Sequence, residues 1–189
     1  MSISAVIIAG GKSSRMGQDK ALIPFGKYST LSEYQYRRLE YIFDNVYISA
    51  KDNKFPFKAN IIYDTDLKSN PLNAIKSAFE QLKDDAIFIL SVDMPLLSIN
   101  SINKLLNAYK NSDNRVLAIT IKSKSNFEPT ATIYKREVLE TINKMYQKGD
   151  FKLLNILNSV KILSIEVNED ELININRPQD YKKAKELIT

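Results

Sequence analysis

Three short apolar runs end in residue types that handle phosphate and metal. Ala5-Val6-Ile7-Ile8-Ala9 opens into Gly10-Gly11 and then a polar stretch carrying Lys12, Arg15 and Lys20. Asn60–Tyr63 stops at Asp64, and the run from Ala86 to Val92 stops at Asp93-Met94-Pro95. Glycines let a backbone approach a ligand with no Cβ in the way. N–H groups freed where a strand ends can converge on phosphate oxygens, and the lysines and arginine add charge of the right sign. A carboxylate at the mouth of a sheet suits Mg2+, which holds few protein carboxylates and is otherwise bound by water and phosphates. Each feature also has a plainer use. The loop is a surface turn, Asp93 caps or turns the chain before Pro95, Lys20 is a solvated lysine, and Asp64 or its neighbour Asp66 is a turn acid.

The glycine loop fits neither of two common phosphate-binding patterns. A P-loop places a first glycine upstream of Gly-Lys-Ser/Thr, and Gly11-Lys12-Ser13 has Val6 at that position. The dinucleotide fingerprint G-x-G-x-x-G fails at its third position, which is Lys12 when read from Gly10 and Ser13 when read from Gly11.

Histidine and cysteine are both absent. That excludes an imidazole base, a thiolate nucleophile, a disulfide and the usual zinc ligands. Chemistry must run on Lys, Arg, Asp, Glu, Tyr, hydroxyls or a hard cation. The net charge of +5 suits an anionic ligand such as a nucleotide. It is spread along the chain with no basic block, so it leaves no nucleic-acid footprint.

The elements that must position these residues follow from pattern. A chain of 189 residues with 44% hydrophobic content fits one domain with a proper core. No apolar run reaches membrane-span length, and no cationic segment precedes the first one, so we expect a cytoplasmic protein with no signal peptide. Thr30-x-x-Glu33 reads as a capping box for a helix carrying Leu31, Tyr34, Leu39, Ile42 and Phe43 on one face. Val46–Ala50 and Asn60–Tyr63 read as strands around a charged loop at 51–59. Asn70-Pro71 starts a helix with Leu72, Ile75, Phe79 and Leu82 at helical spacing. The run from Ala86 to Val92 reads as a central buried strand. Ser98 caps a helix with Ile99, Ile102, Leu105, Leu106 and Tyr109 inward, and strands follow at 115–121 and, briefly, 130–134. Helices at 137–146 and 151–157 lead to a strand at 160–167, expected to be mixed or antiparallel. A last helix starts at Pro178 with Tyr181, Ala184, Leu187 and Ile188 inward. This alternation predicts an α/β protein of three layers and Rossmann-like topology, its central sheet mostly parallel with helices on both faces. Ligands bind such sheets off the strands' carboxyl ends, which brings the Gly10–Lys20 loop, Asp64 and Asp93 to one rim.

The segment from Ala9 to Lys20, A-G-G-K-S-S-R-M-G-Q-D-K, resembles the signature loop of nucleotidyltransferases that act on the molybdenum cofactor. The closest likeness is to the MobA family of guanylyltransferases; sugar-nucleotide and methylerythritol cytidylyltransferases carry a looser version. Val92-Asp93-Met94-Pro95 is similar to that family's strand-end aspartate motif. Asn70-Pro71-Leu72 matches in part and lacks a glycine. Phe127-Glu128-Pro129-Thr130 and Asn174-Ile175-Asn176-Arg177-Pro178 resemble two later motifs, so the likeness runs from Ile8 to Pro178.

The resemblance implies a single nucleotidyltransferase domain over 1–189, with a nucleotide-binding part at about 1–122 and a pterin-binding part at about 123–189. It implies catalytic roles for Lys20, Arg15 and Asp93, with Asp93 binding Mg2+. Ile8, Ala9, Gly10 and Gly11 would meet the nucleotide, along with Lys20 and Asp93. Asp64, or Asp66, would bind the guanine nucleotide. Ser49 stands at a position that is often Asn and contacts the base. Glu128, Pro129, Asn174 and Asn176 would bind the acceptor. The substrates implied are GTP and Mo-molybdopterin, with molybdenum-insertion and molybdoenzyme-chaperone proteins as candidate partners and neither nucleic acid nor membrane involved. An attacking phosphate is already an anionic nucleophile, so such a reaction needs no general base, in keeping with a chain without His or Cys. A molybdopterin cytidylyltransferase, a sugar-phosphate nucleotidyltransferase and a non-catalytic nucleotide-binding module remain the alternatives.

Overall fold

In β1 (Ile3–Ile8), successive side chains feed two separate cores. Ala5 and Ile7 face one, while Val6 and Ile8 face the other. That pleat, repeated in β4 (Ala86–Ser91) by Phe88 and Leu90 against Ile87 and Ile89, makes a sheet buried on both sides. A computed structural model describes residues 3–10, 16–64, 70–124 and 126–188. One core is closed by α1 (Leu31–Leu39), α3 (Ile99–Lys110) and α6 (Pro178–Leu187). The other is closed by α2 (Pro71–Gln81), α4 (Val138–Gln147) and α5 (Leu153–Ser159). The remaining strands are β2 (Val46–Ala50), β3 (Asn60–Tyr63), β5 (Ala118–Lys122), β6 (Phe127–Lys135) and β7 (Ile162–Glu166).

The strand order is β3-β2-β1-β4-β6-β5-β7. β2 and β4 lie on opposite sides of β1 and both run parallel to it. The chain therefore winds first one way and then the other, and the carboxyl ends of β1 and β4 form the switch point where such sheets bind ligands. The Val92 N–H donates to the Ile8 carbonyl at 3.1 Å and keeps those ends together.

Caps set the helix starts. Thr30, Asn70 and Ser98 accept the N–H of Glu33, Asn73 and Ser101 at 3.0, 2.9 and 3.1 Å. The predicted capping box is displaced by one residue, since Glu33 accepts from the Ser29 N–H and hydroxyl rather than from Thr30. α1 ends at Leu39, so Ile42 and Phe43 lie in the following turn, where Phe43 stacks on Phe88. Ile99 and Leu187, expected inward, are exposed because they sit in the terminal turns of their helices, off the packed face.

Two strand expectations are corrected. The sheet's one antiparallel member among the described residues is β6, paired on both sides with strands of opposite direction. β7 runs parallel to β5 at the edge. A connection of only residues 123–126 separates β5 from β6, which is too short for a parallel crossover. β6 is also longer than the predicted 130–134, because Pro129 sits inside it at a bulge, a place where a sheet tolerates proline.

Candidate nucleotide-binding site

Lys20 lies in a 3-10 turn, Lys20–Leu22, capped by Asp19, whose carboxylate accepts the Ala21 N–H at 3.0 Å and pairs with Lys54. Ser32 of α1 donates its hydroxyl to the Ala21 carbonyl at 2.8 Å, so the helix fixes the turn. From there the Lys20 ammonium reaches Asp93 Oδ2 at 2.6 Å and Asn176 Oδ1 at 3.0 Å. Asp93 is held in turn by the Ser91 hydroxyl, which donates to Oδ1 at 2.5 Å. The loop after β1, the end of β4 and the segment before α6 thus meet at one cation.

The turn that carries Asp93 is pinned from α1. The Arg38 guanidinium donates to the carbonyls of Pro95, at 2.6 Å, and Leu97, and to Gln35 Oε1 at 3.2 Å. Gln35 donates to the Val92 carbonyl at 3.4 Å. Burial pushes the Arg38 guanidinium below its ordinary pKa, yet an arginine stays charged throughout the working pH range.

Asn176 arrives by a second set of ties. The Ile175 side chain is fully buried, and its N–H donates to the Asp93 carbonyl at 2.8 Å. Upstream, Glu171 accepts the Ser98 N–H at 2.9 Å and the Ser101 hydroxyl at 2.7 Å, at the N-terminus of α3. Burial opposes its ionisation, but those donors prevail and hold the carboxyl below the usual glutamate range.

Beside this cation is a cleft of ≈ 210 Å³ whose lining includes Gly10, Asp19, Lys20, Pro71, Asp93 and Thr130. Ile8 and Ala9 also border it. Thr130 gets there through the bulge in β6: Thr120 and Ile121 are consecutive on β5 but pair with Thr132 and Glu128, which extrudes the residues between. Thr120 and Thr132 hydroxyls satisfy the Glu128 carbonyl at 3.2 and 2.8 Å, and the buried Tyr134 donates to the Pro129 carbonyl at 2.8 Å.

The other expected residues fall as follows. Asp64 ends β3 and accepts the Ser49 hydroxyl at 2.5 Å, with its other oxygen toward Gly10. Glu128 accepts the Thr130 hydroxyl at 2.5 Å and lines a separate cavity of ≈ 340 Å³ with Phe127 and Glu169. Asn174 does not join the cation; its side chain donates to the Leu172 carbonyl at 3.3 Å. Gly11, Lys12, Arg15 and Asp66 lie outside the described residues. Sequence reasoning missed Ser91, Asp19 and Arg38, whose partners are distant in sequence or follow no local pattern.

Among the described residues no group of three or more acidic side chains gathers as a metal cage. Asp93 Oδ2 and Asn176 Oδ1 both face the Lys20 ammonium. Carboxylate and amide oxygens are hard donors, and one carboxylate suffices for Mg2+ that arrives with phosphates. No helix among the described residues is long and apolar enough to cross a membrane.

The family described as "MobA-like NTP transferase domain" matches residues 5–162. The chain is 33% identical to a molybdenum cofactor guanylyltransferase of Campylobacter jejuni subsp. doylei, over 97% of this chain and 95% of that one. It is 31% identical to one from Helicobacter pylori, over 98% and 93%. Among solved structures, a molybdopterin-guanine dinucleotide biosynthesis protein A from Archaeoglobus fulgidus superposes with a TM-score of 0.82 at 18% identity, covering 98% of each chain. A 2-C-methyl-D-erythritol 4-phosphate cytidylyltransferase from Thermus thermophilus does so at 0.73 and 15%, covering 99% of this chain and 98% of that one. At such identities these structures speak for the fold alone.

Proposed function

The chain belongs to the family of MobA-like NTP transferases, and from that premise we propose that it transfers the GMP of GTP to Mo-molybdopterin. The products are Mo-molybdopterin guanine dinucleotide and pyrophosphate. The observation that carries this reading is the meeting of Lys20 with Asp93 and Asn176 at the paired carboxyl ends of β1 and β4, beside a cleft lined in part by Gly10. The likeness of the full-length guanylyltransferase relatives supports the choice of nucleotide.

In this reading the terminal phosphate of the pterin attacks the α-phosphorus of GTP in line. The new P–O bond forms as the bond to the bridging oxygen of the β-phosphate breaks, and that oxygen leaves with pyrophosphate. No proton has to be removed from the nucleophile. Catalysis is positioning and charge neutralisation. Lys20 stabilises charge on the phosphates, assisted by Arg15. Asp93, with Ser91 fixing its rotamer, would hold Mg2+, which supplies Lewis-acid neutralisation of the triphosphate when bound. Backbone groups of Ile8 to Gly11 take the base and ribose side, and Asp64 takes the guanine.

The acceptor lies across the sheet, on the part of the chain from about 123 to 189. Its ring would face Glu128 and Pro129, since carboxylates suit the N–H donors of a pterin and repel its phosphate. The phosphate then points toward Lys20, with Asn174 and Asn176 on the acceptor side.

The test is pyrophosphate release with GTP, Mg2+ and Mo-molybdopterin. Release with GTP and not CTP is expected, and Asp93→Ala should lower turnover by at least about 10²-fold. Release with CTP alone would make the protein a cytidylyltransferase. Tight GTP binding without release would make it a non-catalytic module.

A further inference from the structure

Ser49 stands where a direct contact to the nucleotide base is expected, but its geometry points elsewhere. It is fully buried, and its hydroxyl donates to Asp64 Oδ1 at 2.5 Å. Ser49 lies in β2, and Asp64 directly follows β3. The Ser49 carbonyl accepts the Ala9 N–H at 3.1 Å, and the Asp64 N–H donates to the Ala50 carbonyl at 3.1 Å. The hydrogen bond therefore fixes the orientation of the carboxylate between two anchored backbones. With Oδ1 tied to Ser49, Oδ2 is turned over the end of β1, where it lies 3.6 Å from the point a Cβ at Gly10 would occupy.

We infer that Ser49 is a positioning residue for base selection, touching no ligand itself and acting by aiming the Asp64 carboxylate. This rests on the guanylyl reading above and adds what sets its specificity. A carboxylate accepts two parallel N–H donors, as it does from a guanidinium. Each oxygen keeps a free lone pair when one is already engaged. Guanine presents such a pair of donors, N1–H beside the 2-amino group. Cytosine and adenine present a donor beside an acceptor, so one carboxylate oxygen would face a lone pair. A site built for donors rejects ligands that lack them, because its buried acceptor is left unpaired. Rotation of the carboxylate would blur that discrimination, and the Ser49 hydroxyl is what opposes rotation.

The experiment compares GTP, ITP and CTP as substrates for the wild-type protein and for Ser49→Ala and Ser49→Thr. ITP keeps N1–H and lacks the 2-amino group. For Ser49→Ala we expect the KM for GTP to rise roughly tenfold, with kcat at saturating GTP and the melting temperature nearly unchanged. The preference for GTP over ITP should shrink, because the loss falls on the two-donor contact. Ser49→Thr keeps the hydroxyl and should restore the preference. If the alanine protein does not fold, the near-isosteric Ser49→Cys, with its weak S–H donor, carries the same test and should show a smaller loss of preference. Equal changes for GTP and ITP, or a fall in kcat with KM unchanged, would overturn the inference. A wild-type protein that prefers GTP and variants that keep the full preference sink the inference alone. A wild-type protein indifferent between GTP and CTP sinks the guanylyl reading and this inference with it.

Discussion

Lys20 is the side chain on which the site converges. Its ammonium is shared between a carboxylate and an amide oxygen, and both side chains of the ion pair keep some solvent contact. The two side chains are mostly buried, so the Coulomb gain is largely offset by the desolvation of both charges. The pair's value in the proposed reaction is electrostatic, where the triphosphate would lie. Lys20→Met, which keeps the length and removes the charge, should therefore cut turnover by about 10²- to 10³-fold. The melting temperature should fall by several degrees, since the mostly buried Asp93 loses its charged partner. Steady-state kinetics beside a thermal melt checks both, and undiminished turnover would remove Lys20 from the chemistry. Asp93 was legible in the sequence because it punctuates the end of an apolar run, and Lys20 through its place in the signature loop. Ser91 was not. It sits inside a strand pattern, and only the turn that follows brings its hydroxyl back to Asp93.

α1 acts as the clamp of the site, since one face of it holds both the Lys20 turn and the turn after β4. Arg38 is central to this: a buried guanidinium with two backbone carbonyls as partners and the Tyr34 ring 5.4 Å from its carbon. Arg38→Met would leave the Pro95 and Leu97 carbonyls without their donor, at a cost of about 2–4 kcal/mol. Arg38→Lys should recover only part, because an ammonium lacks the planar fork that serves two acceptors. Urea unfolding of the two variants checks the order, and a methionine variant as stable as wild type would refute the clamp. Most elements were readable from hydrophobic period and caps. The direction of β6 was harder to read, because the proline and the bulge disguised its first half and so hid how short the link to β5 is. With that half missing, β7 was the natural place to look for an antiparallel strand.

The whole molecule is a two-sided sheet with its functional seam in the middle and its weaker strands outside. β1 and β4 each have neighbours on both sides and are almost wholly buried, whereas β3 and β7 have one neighbour each and partial exposure. Amide hydrogen exchange should reflect that, with β1 and β4 slowest and β3 and β7 fastest among the strands. Protection of β7 equal to that of β4 would show that something more than the sheet secures the edge. Asn176 lies beyond the matched family region, which ends at residue 162, and is 156 residues from the lysine it holds. A ribosome must therefore release the chain past residue 176 before this centre can close. A product broken off after β7 would possess all seven described strands yet leave the lysine one oxygen short.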